Sequence, residues 1–241
     1  MGDSRLPKSI SPCPISEAIV EVRYESSAPA EAVFGMIYNS FRSEFPQSEK
    51  LPILQVPEQL RSQDPNLMYL PEYRLSQGTY HLLIGPRSFG LATVGAYAGW
   101  HEFSGRLMNA LERLQTLDVV ESVVRVGLRY INTFKGNVFD QSTLQILRHG
   151  HPLETNESQL IASISAGEFK HTLRVISNVE IKSKEESFIG SAIDIDTALE
   201  GKRDDFFQNM PRYLEDAHLE EKRLFFSLLT DEYVESLNPE Y

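Results

Sequence analysis

The eight residues Arg125-Val126-Gly127-Leu128-Arg129-Tyr130-Ile131-Asn132 constrain the fold of this chain more than any other stretch. In a strand, successive side chains point to opposite faces. One face here receives Arg125, Gly127, Arg129 and Ile131, and the other Val126, Leu128, Tyr130 and Asn132. The second set reads as core. The first places two arginines on either side of a glycine, which breaks the apolar–polar alternation of a half-buried strand. A guanidinium is costly to bury alone, so each arginine requires a carboxylate, a carbonyl cage or water.

The flanking pattern supplies further strands and helices. Residues 18–24 alternate as a first strand, with Ile19, Glu21 and Arg23 on one face and Val20, Val22 and Tyr24 on the other. Pro29 opens a helix, its fixed φ suiting a helix start, and Ala32, Val33, Met36, Ile37, Phe41 and Phe45 follow helical spacing up to Pro46. Residues 46–66, rich in proline, glutamine and serine, read as a long irregular loop with room for an edge strand at 53–56. Strands follow over 68–75, 79–85 and 89–96, joined by turns at Gln77-Gly78 and Pro86-Arg87-Ser88. A second helix spans 100–117, with Phe103, Leu107, Ala110, Leu111 and Leu114 on its apolar stripe. The strand containing Arg125 covers 119–132, long enough to need a twist or bulge near Gly127. A polar connection over 135–157 carries a short helix near 141–147. Strands over 160–166, 170–177 and 187–196 come next, with 182–186 as a charged hairpin tip. A third helical region, 204–237, is interrupted or restarted at Pro211. Residues 1–14 read as an extended, poorly packed arm and 15–241 as a single domain. Helices follow strands at three places, which gives an α+β class: a large, mostly antiparallel sheet with three main helices on one face, in the manner of a degenerate strand–helix repeat.

The function classes open to the chain are narrowed by what it lacks. A formal net charge of −11 disfavours non-specific phosphate binding, and no basic run interleaves with aromatics, so a direct basic groove for nucleic acid is not expected. The single cysteine, Cys13, allows no internal disulfide and suits a reducing cytoplasm, the expected location. No stretch approaches ~20 apolar residues, so no membrane span is expected, and residues 1–14 lack the apolar core of a signal peptide. The patterns GxxxxGK[ST], GxGxxG after a strand, GxSxG and HExxH are absent. No cofactor, metal or catalytic residue is expected, and the balance leans away from an enzyme.

Several short pieces, taken in order, carry a family resemblance. They are Pro14-Ile15-Ser16-Glu17-Ala18-Ile19-Val20-Glu21-Val22-Arg23-Tyr24, Ile84-Gly85-Pro86, Tyr97-Ala98-Gly99-Trp100-His101-Glu102-Phe103, Gly127-Leu128-Arg129-Tyr130-Ile131-Asn132 and Ile193-Asp194-Ile195-Asp196. The last helix adds His218, Phe225, Leu229-Thr230-Asp231, Leu237 and Pro239. In this order and spacing the chain resembles a sporadically distributed prokaryotic family of uncharacterised proteins of about this length. The resemblance implies a cytosolic bacterial or archaeal protein and supplies no catalytic residue. By analogy, sporadic distribution implies horizontally moved gene sets, such as phage-defence or toxin–antitoxin operons.

Three readings of function compete. The first is a non-enzymatic interaction subunit of such an operon, antitoxin-like or part of an antiviral defence complex. Its partner is a protein encoded nearby or a second copy of itself. It rests on the last helix, where Leu224, Phe225, Phe226, Leu228 and Leu229 exceed one apolar stripe. Adjacent helical residues point about 100° apart, so both faces want cover. The internal alternative is that the sheet or the 46–66 loop wraps the helix. The second reading is a small-molecule or nucleotide binder, with Arg125, Arg129, Tyr130, Asn132 and Trp100 around an arginine-lined pocket between sheet and helices. Against it, the arginines can form a salt-bridge lattice with Glu17, Glu21 and Arg23, and Trp100 can staple its helix to the sheet. The third is a metal-dependent hydrolase or phosphotransferase at Asp194 and Asp196, which share a strand face two residues apart. Against it, one carboxylate pairs with Arg125 or Arg129 and the other caps the following helix. If Arg129 is a structural partner of Asp194 or Glu21, its removal is expected to cost ~3–5 kcal/mol.

Overall fold

Two long strands, β1 (Ile15–Glu25) and β6 (Ser122–Lys135), pair antiparallel at the centre of the molecule. In this computed structural model, residues 6–152, 155, 157–182 and 187–241 are described. The strands β2 (Gln47–Lys50), β3 (Tyr73–Gln77), β4 (Tyr80–Gly85) and β5 (Ser88–Val94) extend the sheet on the β1 side. On the β6 side lie β9 (Ser158–Ala166), β10 (Phe169–Lys182) and β11 (Ser187–Arg203). The sheet has nine strands in the order β2-β3-β4-β5-β1-β6-β11-β10-β9. Each half repeats one plan. A founding strand is followed by strands that return until the last lies beside the first. A helix then closes the half, α3 (Trp100–Thr116) in one and α4 (Phe206–Leu228) in the other. The founding strands share a short pattern, Val20-Glu21-Val22-Arg23-Tyr24 and Val126-Gly127-Leu128-Arg129-Tyr130. In both, the tyrosine is buried on the helical side. The class is α+β.

α1 (Ala30–Phe41), α3 and α4 cover one face. Two apolar clusters lie beneath them. The larger joins Val20, Val22 and Tyr24 of β1 to Val33, Ile37 and Phe41 of α1, to Phe103, Leu107, Leu111 and Leu114 of α3, and to Tyr213, Leu214 and Ala217 of α4. The smaller joins Phe134, Leu173, Val175, Ile193 and Ile195 of the sheet to Phe225, Leu228 and Leu229. Where one cluster gives way to the other, each element carries a buried polar side chain: Asn132 on β6, Thr197 on β11, His171 on β10 and Glu221 on α4.

Several local expectations are corrected. The α1 helix ends at Phe41, so Phe45 reaches the core from beyond it, while Ala32 and Met36 face solvent. Residues 46–66 are structured: β2, a 3-10 turn at Pro52–Gln55, and α2 (Glu58–Gln63) started by Pro57. The edge strand is Gln47–Lys50 rather than 53–56; all four of its residues are exposed, so no hydropathy marks it. The strand expected from residue 68 begins only at Tyr73, and Tyr69 before it lies against the Arg23 guanidinium, 5.1 Å from its ring centroid. In place of a helix near 141–147 there is a 3-10 turn at Val138–Gln141, with the Asn137 side chain accepting from the Phe139 N–H. A short hairpin follows, β7 (Leu147–Arg148) with β8 (His151–Pro152). The third helical region is divided: Asn209 leaves helical geometry just before Pro211, and α4 is followed by a separate α5 (Asp231–Ser236) capped by Thr230.

The arm is fastened rather than loose. Its residues from Lys8 to Ser11 pair with the last residues of the chain, through Ser11 N–H to the Leu237 carbonyl at 2.7 Å and Glu240 N–H to the Ser9 carbonyl at 2.9 Å. Residues 1–5 of the arm, most of the charged tip at 182–186, and 153, 154 and 156 of the polar connection lie outside the described residues.

The irregularity expected near Gly127 falls between Val123 and Arg125, where the register shifts against both neighbours, and β6 passes Gly127 itself in register. The glycine answers a different need. The guanidinium of Arg125, held by Glu21 and Asp196, folds back over Gly127, and a Cβ there would lie 2.8 Å from Arg125 Cζ. Gly127→Ala is therefore expected to cost about 1–3 kcal/mol by overpacking, read from urea unfolding midpoints. In an Arg125→Ala background the same substitution is expected to cost only a few tenths of a kcal/mol, which makes the pair a double-mutant cycle.

Candidate functional site

The alternation of β6 sends its functional candidates to opposite sides of the sheet. Arg125 and Arg129 lie on the face away from the helices, whereas Tyr130 and Asn132 lie beneath them. The arginine-lined pocket expected between sheet and helices therefore does not form. On the open face Arg129 grips Asp194 with two parallel bonds, Nε to Oδ1 and Nη2 to Oδ2, both 2.7 Å. Arg174 reaches the same carboxylate at 3.4 Å. Arg125 Nη2 donates to both oxygens of Asp196, at 2.9 and 2.7 Å, and its Nη1 donates to Glu21 at 3.2 Å. Arg23 meets the same Glu21 oxygen at 2.5 Å. Asp194, 7% exposed, is thus a buried carboxylate satisfied by charge-assisted bonds. Both aspartates are held by guanidinium groups, and among the described residues no group of three or more His, Cys, Asp or Glu side chains could hold a metal ion.

The helical side carries a cleft of about 260 Å³ between the ends of β1 and β6, the helices α3 and α4, and the strap formed by Pro7–Pro14. Tyr130, Asn132 and Trp100 meet here, with Tyr97, His218, Glu221, Lys222, Phe225 and Phe226. Gly99, at φ 97°, makes the sharp entry into α3 that sets Trp100 at the rim. The indole stacks on His218, ring centroids 4.3 Å apart and planes 10° from parallel, and its N–H donates to Glu215 at 2.6 Å. The Tyr130 hydroxyl lies 3.0 Å from the Tyr97 hydroxyl and 3.2 Å from His218 Nδ1, so three polar side chains form one chain into the cleft.

Burial dominates the electrostatics. It raises the pKa of Tyr97 and of Tyr130, keeping both as phenols. Burial, with the Lys222 ammonium adding to it, pulls His218 down from 6.5 to about 3, so the imidazole is neutral. Burial likewise holds the Glu221 carboxyl well above the ordinary carboxylate range, against the opposing pull of Lys222. Glu221 is 3% exposed, and its Oε1 has no hydrogen-bond partner among the described residues. A buried polar atom left unpaired costs about 1–3 kcal/mol, which makes this carboxyl the most conspicuous group of the cleft.

The helix residues that suggested a partner surface sit mostly inside. Phe225, Leu228 and Leu229 are buried in the smaller cluster, and Leu224 and Phe226 pack partly against it. The chain itself adds cover to that cluster: Ile10 of the strap, Phe139 and Leu144 of the 3-10 connection, and Tyr233 and Val234 of α5 pack against it. The loop at 46–66 takes no part. Glu221 escaped the sequence reading although a signal existed. It lies four residues after Ala217 and four before Phe225, on the buried stripe of α4, where a carboxylate is out of place.

Two variants test this description. Arg129→Ala strands Asp194 only in part, because Arg174 remains and the Arg129 side chain is 37% exposed. The expected loss falls from ~3–5 to about 1–2 kcal/mol in urea melts. For His218, the folded pKa lies below the unfolded one. Its contribution is complete above pH 6.5 and is lost as pH falls from 6.5 toward 3. His218→Phe keeps a stacking ring and removes the titration, so the acid-side loss of stability over that window is expected to shrink by on the order of 2–4 kcal/mol relative to the parent. No protein-family model matches the chain and no curated protein matches it.

Proposed function

We propose that this protein binds a small organic molecule in the cleft between its central strands and the α3–α4 pair. The observation that carries the reading is Glu221: a carboxyl group buried among aromatic rings with one oxygen facing no partner. A concave site with apolar walls and a few convergent polar groups is the usual form of a small-ligand pocket. Its walls are aromatic, and Tyr97, Tyr130 and His218 supply oriented polar atoms at one end. The volume suits a molecule of one or two rings. No catalytic step is assigned to it.

An interaction-subunit role is the second reading. What favours it is the far half of the sheet rather than α4: Ile161 on the edge strand β9 and Ile189 near the start of β11 are 60% and 61% exposed. Among the described residues no helix is long and apolar enough to cross a membrane. Exposed apolar positions of this kind suit a protein contact.

Ligand-detected NMR with a library of one- and two-ring compounds separates the two. Hits are expected to compete with one another and to shift the emission of Trp100, the single tryptophan of the chain. Ala98→Phe, at an exposed position on the cleft wall, is expected to abolish binding while leaving the thermal midpoint within a few degrees. Hits that bind this variant as well as the parent, or an empty screen, would overturn the cleft reading.

A further inference from the structure

We infer that the molecule held in the cleft is an organic oxyanion, a one- or two-ring carboxylate or phenolate, whose charged oxygen is received by Glu221 and Lys222. This rests on the reading of the cleft as a binding site and specifies its chemistry. The argument comes from the charges on the cleft wall. The ionisable side chains lining it are Lys8, Cys13, Tyr97, Tyr130, His218, Glu221 and Lys222. Burial leaves the tyrosines as phenols, the imidazole neutral and the carboxyl protonated. The charges that remain are two ammonium groups, on a chain whose formal net charge is −11. Lys8 is engaged, its Nζ donating to the Tyr241 oxygen at 2.8 Å. Lys222 is half-buried, and burial lowers its pKa, so the site bears a cation that is poorly hydrated.

Each ligand class meets these groups differently. A cationic ligand needs Glu221 to ionise among aromatic rings and must then compete with Lys222 for it. A neutral ligand satisfies the Glu221 hydroxyl but brings no negative charge to the ammonium. An oxyanion answers both: the protonated carboxyl donates a hydrogen bond to it, and Lys222 neutralises its charge. Outside the lining, the Glu215 carboxylate attracts Lys222 and also accepts from the Trp100 indole N–H, so a ligand oxyanion adds to a charge partner that is shared. Around Glu221 the titratable groups are Lys222 and His218 on its own helix, Tyr97 from the approach to α3, Tyr130 from β6, and Cys13 and Lys8 from the strap. None of them supplies a second acid.

The test compares three probes with one ring system, naphthoate, naphthamide and naphthylmethylammonium, by calorimetry on the full chain at neutral pH. Naphthoate is expected to bind about tenfold or more tighter than the other two. Lys222→Met is expected to weaken naphthoate about tenfold and to leave naphthamide within about twofold. Naphthoate affinity is expected to fall as pH rises through the titration of Glu221, because the ionised carboxylate repels the ligand. Glu221→Gln, which keeps a donor at every pH, is expected to preserve binding and to leave only the alkaline fall that comes from loss of the Lys222 charge. Tightest binding of the ammonium probe, or equal binding of all three, would refute the oxyanion assignment and leave the cleft as a ligand site. Failure of all three probes would remove the cleft reading with it.

Discussion

The pairing of β1 with β6 is the constraint on which the rest of the structure depends. Seven consecutive pairs, from Glu17 with Ile131 to Arg23 with Arg125, join the two halves of the sheet. A slip of one residue would turn Val20, Val22 and Tyr24 away from the helices and bring Glu21 and Arg23 under them. The open face guards against that slip. Arg125 bonds across β6 to carboxylates on both neighbouring strands, Glu21 on β1 and Asp196 on β11, which is possible only in one register. Ion pairs of this kind, with side chains 14–26% exposed, add little net stability singly, but here they penalise other alignments of the three strands.

Much of the fold was legible because the helix period and the strand alternation are strong where the core is. The apolar stripe of α3, Phe103, Leu107, Ala110, Leu111 and Leu114, is the buried stripe of the structure residue for residue. The two faces of β1 and β6 also follow their alternation. What stayed hidden was set by backbone pairing or by capping. The β2 edge is Gln-Ser-Glu-Lys, with no apolar side to announce it, and the 138–152 connection takes its shape from the Asn137 cap and from bonds to α4. The site divides along the same line. Trp100, Tyr130 and Asn132 do converge, brought together by a strand end and a helix start. Arg125 and Arg129 were placed with them against the alternation that already sent them to the other side. Glu221 was concealed by being one polar letter in an otherwise apolar stripe.

The polar residues between the two apolar clusters carry a cost that apolar replacements would avoid. Asn132, His171, Thr197 and Glu221 each occupy a position where a valine or leucine would join the clusters into one core. His171 and Thr197 satisfy each other at 2.8 Å, and the Asn132 amide reaches the Ile193 carbonyl at 3.4 Å. Glu221 alone leaves an oxygen unanswered. Local rules tend to be broken where a protein does its work, and here the break coincides with the cleft.

The strap has a consequence for the order in which the molecule assembles. The Ser9 hydroxyl and the Glu240 carboxylate that it meets are separated by 231 residues, so the closing of this contact comes only after both halves of the sheet have brought the ends of the chain together. The cleft is thus roofed last. This roof belongs to no strand of the sheet, and it is held by bonds to residues 237–241, by Ile10 on the smaller cluster and by the Pro14 carbonyl, which accepts from Thr133 of β6. If the cleft holds a ligand as proposed, the strap is a wall of the site that no strand or helix supplies, so changes of sequence there can reshape the cleft without touching the pairing of the sheet.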